Sequence, residues 1–292
     1  MSERRKQLEI VWRSPLRFLV EVASEFRDNQ GFLLAGAVAY YTLLSIVPMF
    51  ALMLIVLSQV VDQGTLIETT RSYLSLVIPS QAGLVTDQIK TFLQHWRLAG
   101  GLVFISLIFF SALAFTVLEN AMSVIFFHRA SVRRRHFLVS AIIPYLYILL
   151  LAIGMIVVST ASSALNALAQ DKLAVLGARI SLSGASAALL YLLGVLGEVL
   201  LLTSLYMVLP VGHLSIRKAL AGGITAAVLW EITRQFLVWY FSTLSVVNFI
   251  YGSFATAIIV LLTIEAGAVI VLLGAQVIAN YERLSPGAFG RR

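Results

Sequence analysis

Apolar residues run along this chain in long blocks rather than in alternation. The blocks cover residues 32–61, 99–127, 137–160, 181–209, 219–242 and 250–280. A helix needs about 20 predominantly apolar residues to cross a bilayer, and each block is long enough. With no water in the hydrocarbon, such a segment satisfies its backbone only as a helix. The pattern therefore predicts an all-α membrane protein with six transmembrane helices. Two polar stretches break it. Residues 1–31 are charged, and within them Ser14-Pro15 is a helix start, with Ser14 as cap and Pro15 in the first turn. Phe18, Leu19, Val22, Ala23 and Phe26 follow at helical spacing, which predicts an amphipathic helix on the cytoplasmic membrane surface. Residues 62–98 predict two short helices, 65–78 and 80–96, as a small periplasmic cap between the first two spans. The chain is expected to form a single polytopic membrane domain over 1–292.

The first block is the least uniform. FLLAGAVAYYTLLSIVPMFALMLIVLSQVV carries Tyr40, Tyr41, Thr42, Ser45 and Pro48 in its middle. A proline inside a helix removes one backbone bond and crowds the preceding turn, so Pro48 is expected to act as a hinge. Two readings stand here. One is a kinked span packed on its neighbours. The other is a kink whose Tyr40, Tyr41 and Ser45 line a cavity. Ionisable residues inside spans usually face protein or water. They are Glu119, Glu198, Glu231, Arg234 and Glu265. Glu231 and Arg234 are three residues apart and can pair on one helix face. The other carboxylates need Tyr40, Tyr41, Asn120, Gln235, Thr263 or Gln276 as partners, or a proton. They are either clamps between helices or the lining of a polar cavity for a substrate head group or a coupling proton.

Composition agrees with the block pattern: 60% of residues are hydrophobic and only 12% charged. Soluble domains carry about 25% charged residues. The net charge is +7, and its distribution decides what it means. With the N-terminus inside, the inner segments hold Arg4, Arg5, Lys6, Arg13, Arg17, Arg27, Arg129, Arg133, Arg134, Arg135, Arg217, Lys218, Arg283, Arg291 and Arg292. The outer segments hold only Arg71, Lys90, Arg97, Lys172 and Arg179. That bias predicts both termini in the cytoplasm. Arg129, Arg133, Arg134 and Arg135 are expected beside anionic lipid headgroups, as topology signals or as a specific site. No aromatic platform accompanies them, so no nucleic-acid partner is expected. The first apolar run is too long for a signal peptide, and no cleaved leader is expected.

Soluble-type catalysis finds no pattern. The chain has no cysteine, which excludes disulfides and thiolate metal sites. Its four histidines, His95, His128, His136 and His213, lack metal-ligand spacing. Neither a GxSxG elbow, a phosphate-cradling glycine loop nor an HExxH pair occurs. No catalytic residue, metal or cofactor is expected. Gly222-Gly223 reads as a close-packing element of the fifth span.

Several stretches resemble the YihY/BrkB family of bacterial inner-membrane proteins, in the same order over nearly the whole chain. They are Ala37–Pro48 (AVAYYTLLSIVP), Glu119-Asn120-Ala121, Tyr206 and Pro210, Gly222 followed by Trp230, Tyr251-Gly252-Ser253, and Gly274-Ala275. The resemblance implies a six-helix bundle in the inner membrane. Some members are linked to envelope properties such as serum resistance, and lipid or amphiphile export has been suggested for them. The family was once labelled ribonuclease BN, but these residues offer no support for nuclease chemistry, and no enzyme is expected. The chain departs from the family pattern in the sixth span. It has Thr263 and Glu265 where the family usually has a Trp-x-Tyr pair, and Gln276 where a glutamate is common.

The expectation drawn from these features is a transporter or flippase for an amphiphilic, anionic envelope molecule, with membrane lipids as its surroundings. Tyr40, Tyr41, Ser45, Glu198, Glu231, Arg234 and Glu265 are the candidate cavity or proton-site residues. A non-transporting envelope scaffold is the alternative. Nothing in the sequence sets the oligomeric state or the substrate.

Overall fold

A computed structural model describes residues 15–59, 61–77, 82–95, 100–126, 182–209, 214–243 and 255–283, with scattered positions between 142 and 160. Eight helices stand among the described residues: α1 (Pro15–Asp28), α2 (Gly31–Leu57), α3 (Gln63–Val77), α4 (Ala82–His95), α5 (Gly100–Ile125), α6 (Leu182–Val208), α7 (Ile216–Thr243) and α8 (Ala255–Arg283). No strand occurs among them. Four segments are both long and apolar enough to cross a membrane: Gly31–Leu57, Val103–Ile125, Ala188–Val208 and Ile258–Arg283. Helix α7 has the length, at 28 residues, but its apolar run is broken by Arg217, Lys218, Glu231 and Arg234. The expected third span, 137–160, lies largely outside the described residues, as do Arg129, Arg133, Arg134 and Arg135.

The surfaces of α6 and α7 explain why this is a membrane protein. Leu189, Leu192, Leu196 and Leu200 are exposed along one stripe of α6. Leu220, Ile224, Val228, Ile232 and Phe236 are exposed in an i, i+4 row on α7. Apolar stripes of this extent are unfavourable in water and suited to lipid tails.

The chain divides into two compact units, Tyr40–Thr116 on one hand and Met1–Ala39 with Val117–Arg292 on the other. Within the first, Asp62 caps α3 by accepting from the N–H groups of Gly64 and Thr65 at 2.9 and 3.2 Å. Helices α3 and α4 pack on each other and bury Leu66, Ala82, Thr86 and Leu93. These are the two helices expected over 62–98. In the same unit α2 runs unbroken through Pro48. Ser45, on the turn before it, is buried.

In the second unit, α6 packs on α7 and α7 on α8. Small residues set that spacing. A Cβ on Gly274 would strike the Tyr206 hydroxyl and lie 3.1 Å from the Gly222 carbonyl. A Cβ on Gly222 would strike the side chain of Ile278. Tyr206 is fully buried and donates to the Val271 carbonyl at 2.8 Å. Glycine is what lets the α7 and α8 backbones approach this closely. Gly222 therefore serves packing, as its position in the sequence suggested.

Helix α1 starts at Pro15, where the missing N–H would have been unpaired in any case. It carries three faces. Val22 and Phe26 are buried, Leu16, Leu19 and Val20 are exposed, and Arg17, Glu21, Ser24 and Asp28 form an exposed polar strip. The turn into α2 is tight. Gln30 adopts φ 55°, in the left-handed region. The Phe26 ring occupies the space a Cβ on Gly31 would need.

Candidate functional site

Two polar clusters lie among the apolar helices of the larger unit. The first joins α6 and α7. Helical spacing puts Glu231 and Arg234 one turn apart on α7, and they pair at 2.6 Å through Glu231 Oε2 and Arg234 Nη2. The pair is lopsided, because the arginine side chain is 46% exposed and the glutamate 21%. Across the packed helices, Glu198 and Tyr191 of α6 lie within electrostatic reach of this pair. Glu198 stands in the middle of the apolar segment Ala188–Val208. Its Oε1 is buried and has no hydrogen-bond partner among the described residues. The structure therefore brings together three of the expected residues, Glu198, Glu231 and Arg234. Glu265 of α8 faces Gly36 of α2, with an Oε1 3.8 Å from where a Cβ would stand.

The remaining expected residues lie in the smaller unit and are described there alone. Tyr40 is 59% exposed, and its ring meets that of Tyr41 edge-on, with centroids 5.2 Å apart. Ser45 reaches from α2 to α5. Its hydroxyl is 2.7 Å from the Tyr41 carbonyl and 2.8 Å from the Phe110 carbonyl, and it accepts from the Ala114 N–H at 3.2 Å. Phe110 and Ala114 are the two ends of one helical i→i−4 step, so Ser45 addresses the backbone ladder of the neighbouring helix. Pro48 lies inside α2.

The second cluster was not found by sequence reasoning. It ties α1 to the end of α8. Glu25 Oε2 accepts from Gln276 Nε2 at 3.0 Å and from Arg283 Nη1 at 2.8 Å. Asn29 Nδ2 donates to Gln276 Oε1 at 2.9 Å. With its amide nitrogen turned toward Glu25, Asn280 donates to Glu25 Oε2 at 2.9 Å. Gln276 and Asn280 are buried. Close by on α8, Glu282 takes a salt bridge from Lys218 of α7 at 3.2 Å. The available signal was spacing. Glu25 on α1 and Asn29 just past its end are i, i+4, and Gln276, Asn280 and Arg283 are i, i+4, i+7 on α8. Gln276, considered above for the midplane carboxylates, is occupied by Asn29 and Glu25, and the Thr263 hydroxyl by the Ile259 carbonyl at 2.7 Å.

Elsewhere, α4 carries an open groove of about 890 Å³ lined by Gly83, Leu84, Asp87, Gln88, Thr91 and His95 among others. Among the described residues, no three His, Asp or Glu side chains come together in a way that could hold a metal ion.

Apolar helices of spanning length, exposed aliphatic stripes and charges in mid-helix define a multi-pass helical membrane protein. Residues 22–289 match the profile of the family described as virulence factor BrkB, and the chain belongs to that family. Among its relatives is a UPF0761 membrane protein of Azotobacter vinelandii, 30% identical over 266 residues that make up 90% of this chain and 62% of the relative. One of Pseudomonas aeruginosa is 32% identical over 253 residues, 84% of this chain and 58% of the relative. A third, of Aggregatibacter aphrophilus, is 29% identical over 257 residues, 87% of this chain and 88% of the relative. The chain thus spans about three fifths of the length of the first two, 62% and 58%, and most of the third. No solved structure matches it.

Proposed function

We propose that this protein is a non-enzymatic transporter or flippase for an amphiphilic, anionic envelope molecule. In this reading it has six spans, lies in the bacterial inner membrane and keeps both termini in the cytoplasm. Membrane lipids are its partners. The observation that carries the reading is the Glu198 carboxylate, held in the middle of an apolar helix beside an ion pair with one buried oxygen unpaired. An unpartnered carboxylate oxygen at that depth is costly, and membrane proteins retain such groups where a substrate, water or a proton passes. The Glu231–Arg234 pair adds a fixed charge to the same place. In this reading Tyr40, Tyr41 and Ser45 with the hinge Pro48 on the first span, and Glu265 on the last, are further candidate residues, each within its own unit.

Liposomes containing the purified protein and labelled lipids test this. Transbilayer movement is expected, and Glu231→Gln or Pro48→Ala should reduce it several-fold while the protein still inserts. Absence of movement across a broad panel of anionic and zwitterionic lipids would sink the proposal. The second reading, a non-transporting envelope scaffold, is favoured by the Glu25 cluster, whose hydrogen bonds serve only to hold helices together.

A further inference from the structure

Arg234 differs from every other cation of the chain. The 20 other Lys and Arg residues fall in segments expected to flank the spans, while Arg234 sits well inside α7. Its guanidinium has five N–H donors in a planar fork, a shape that matches phosphate oxygens two at a time. Among the described residues, one of those donors is engaged, by Glu231 Oε2. The open flank of the pair belongs to the arginine, since its side chain is the more exposed of the two. The Tyr191 side chain, half exposed on α6, stands within electrostatic reach and offers a phenolic hydroxyl. The result is a forked, half-exposed cation beside a hydroxyl, inside a helix of spanning length.

We infer that Arg234 is a seat for a phosphate-bearing head group of net negative charge, which binds by displacing Glu231 from the guanidinium. Glu231 is then a resident counter-ion that holds the seat when it is empty. Naming the ligand as a passing substrate rests on the transport reading; the binding step rests on the geometry of the pair. A seat of this kind has a charge signature that a purely structural ion pair lacks. Glu198 and Glu231 both oppose an incoming anion, so neutralising either strengthens binding, whereas neutralising the arginine removes it. Glu231→Gln is expected to slow release and movement for the same reason that it tightens binding.

The test measures binding with the full chain in neutral detergent. The titrants are phosphatidylglycerol in mixed micelles, phosphatidylcholine in the same micelles, and inorganic phosphate. Phosphatidylglycerol should bind and phosphatidylcholine should not compete with it. Glu231→Gln should bind phosphatidylglycerol about tenfold more tightly, and Glu198→Gln should shift the same way by less. Arg234→Gln should lose binding, and Arg234→Lys should keep a weakened part of it. Displacement by millimolar inorganic phosphate would give the seat to a free anion, and resistance to it would give the seat to the lipid head group; each supports the seat. Unchanged or weaker binding in a folded Glu231→Gln protein would overturn the inference, as would intact binding in Arg234→Lys and Arg234→Gln alike. If Arg234→Gln does not fold, the Glu231→Gln gain and the Arg234→Lys loss decide. Binding that behaves as described in a protein that moves no lipid would discard the transport reading and leave the seat standing.

Discussion

The Glu25 cluster and the Glu198 cluster use the same chemistry to opposite ends. Each sets a carboxylate against a guanidinium on packed helices. At Glu25 one carboxylate oxygen meets donors from Gln276, Arg283 and Asn280, and Gln276 is in turn held by Asn29. At Glu198 one buried oxygen has no donor among the described residues, and the neighbouring arginine uses one of its five donors. A polar network that is fully satisfied rigidifies the helices it joins, whereas a half-satisfied one lowers stability. Retaining the second kind in an apolar helix is the mark of a group with another task.

The most damaging change should fall in the satisfied cluster. Gln276→Leu leaves Glu25 and Asn29 short of partners in a buried setting, and should lower stability by about 3 kcal/mol. A thermal melt of the detergent-purified protein measures this, and an unchanged melting temperature would place the Glu25 cluster in the same class as the Glu198 one. The opposite sign is expected across the comparison. Glu198→Met keeps the side-chain bulk, removes the unpaired oxygen, and should raise stability by about 1 kcal/mol. The same variant should cut transbilayer movement, so stability and activity part company there. Loss of both together would make Glu198 a structural clamp. The smallest effect belongs to the corner that delivers α1 to α8. Gln30 pays a left-handed backbone penalty that glycine escapes, offset by glycine's greater freedom when unfolded. Gln30→Gly should therefore stabilise by only about 0.5 kcal/mol. A drop in melting temperature would show that the Gln30 side chain has a role of its own.

The difference between the clusters also marks how far the sequence could be read. The Glu231–Arg234 pair is local, three residues apart on one helix, and its spacing announced it. The start of α1 at Pro15 and the close packing at Gly222 were legible for the same reason, since each depends on neighbouring residues or on residue size. The long apolar blocks gave the helices; the charges within α7 explain why it is less apolar than the others of spanning length. Glu25 meets Gln276 across a separation of 251 residues and Arg283 across 258. A single sequence holds the two polar stripes but not the fact that they face each other. The target of Ser45 was hidden likewise. Its residue type made it a candidate for lining a cavity, yet its hydroxyl meets the backbone of α2 and of α5, because two helices in lipid have few other polar groups to share.

The separation between Glu25 and its partners has a consequence in time. A ribosome adds about 5–20 residues per second, so α1 emerges roughly 13–50 s before Gln276 exists. During that interval the Glu25 carboxylate and the Asn29 amide have only water to bond, and the Val22–Phe26 face has no helix to cover it. The first described helix of the chain is thus among the last to find its place. Its docking closes the molecule end to start, and a nascent chain halted before residue 276 would carry α1 unfastened.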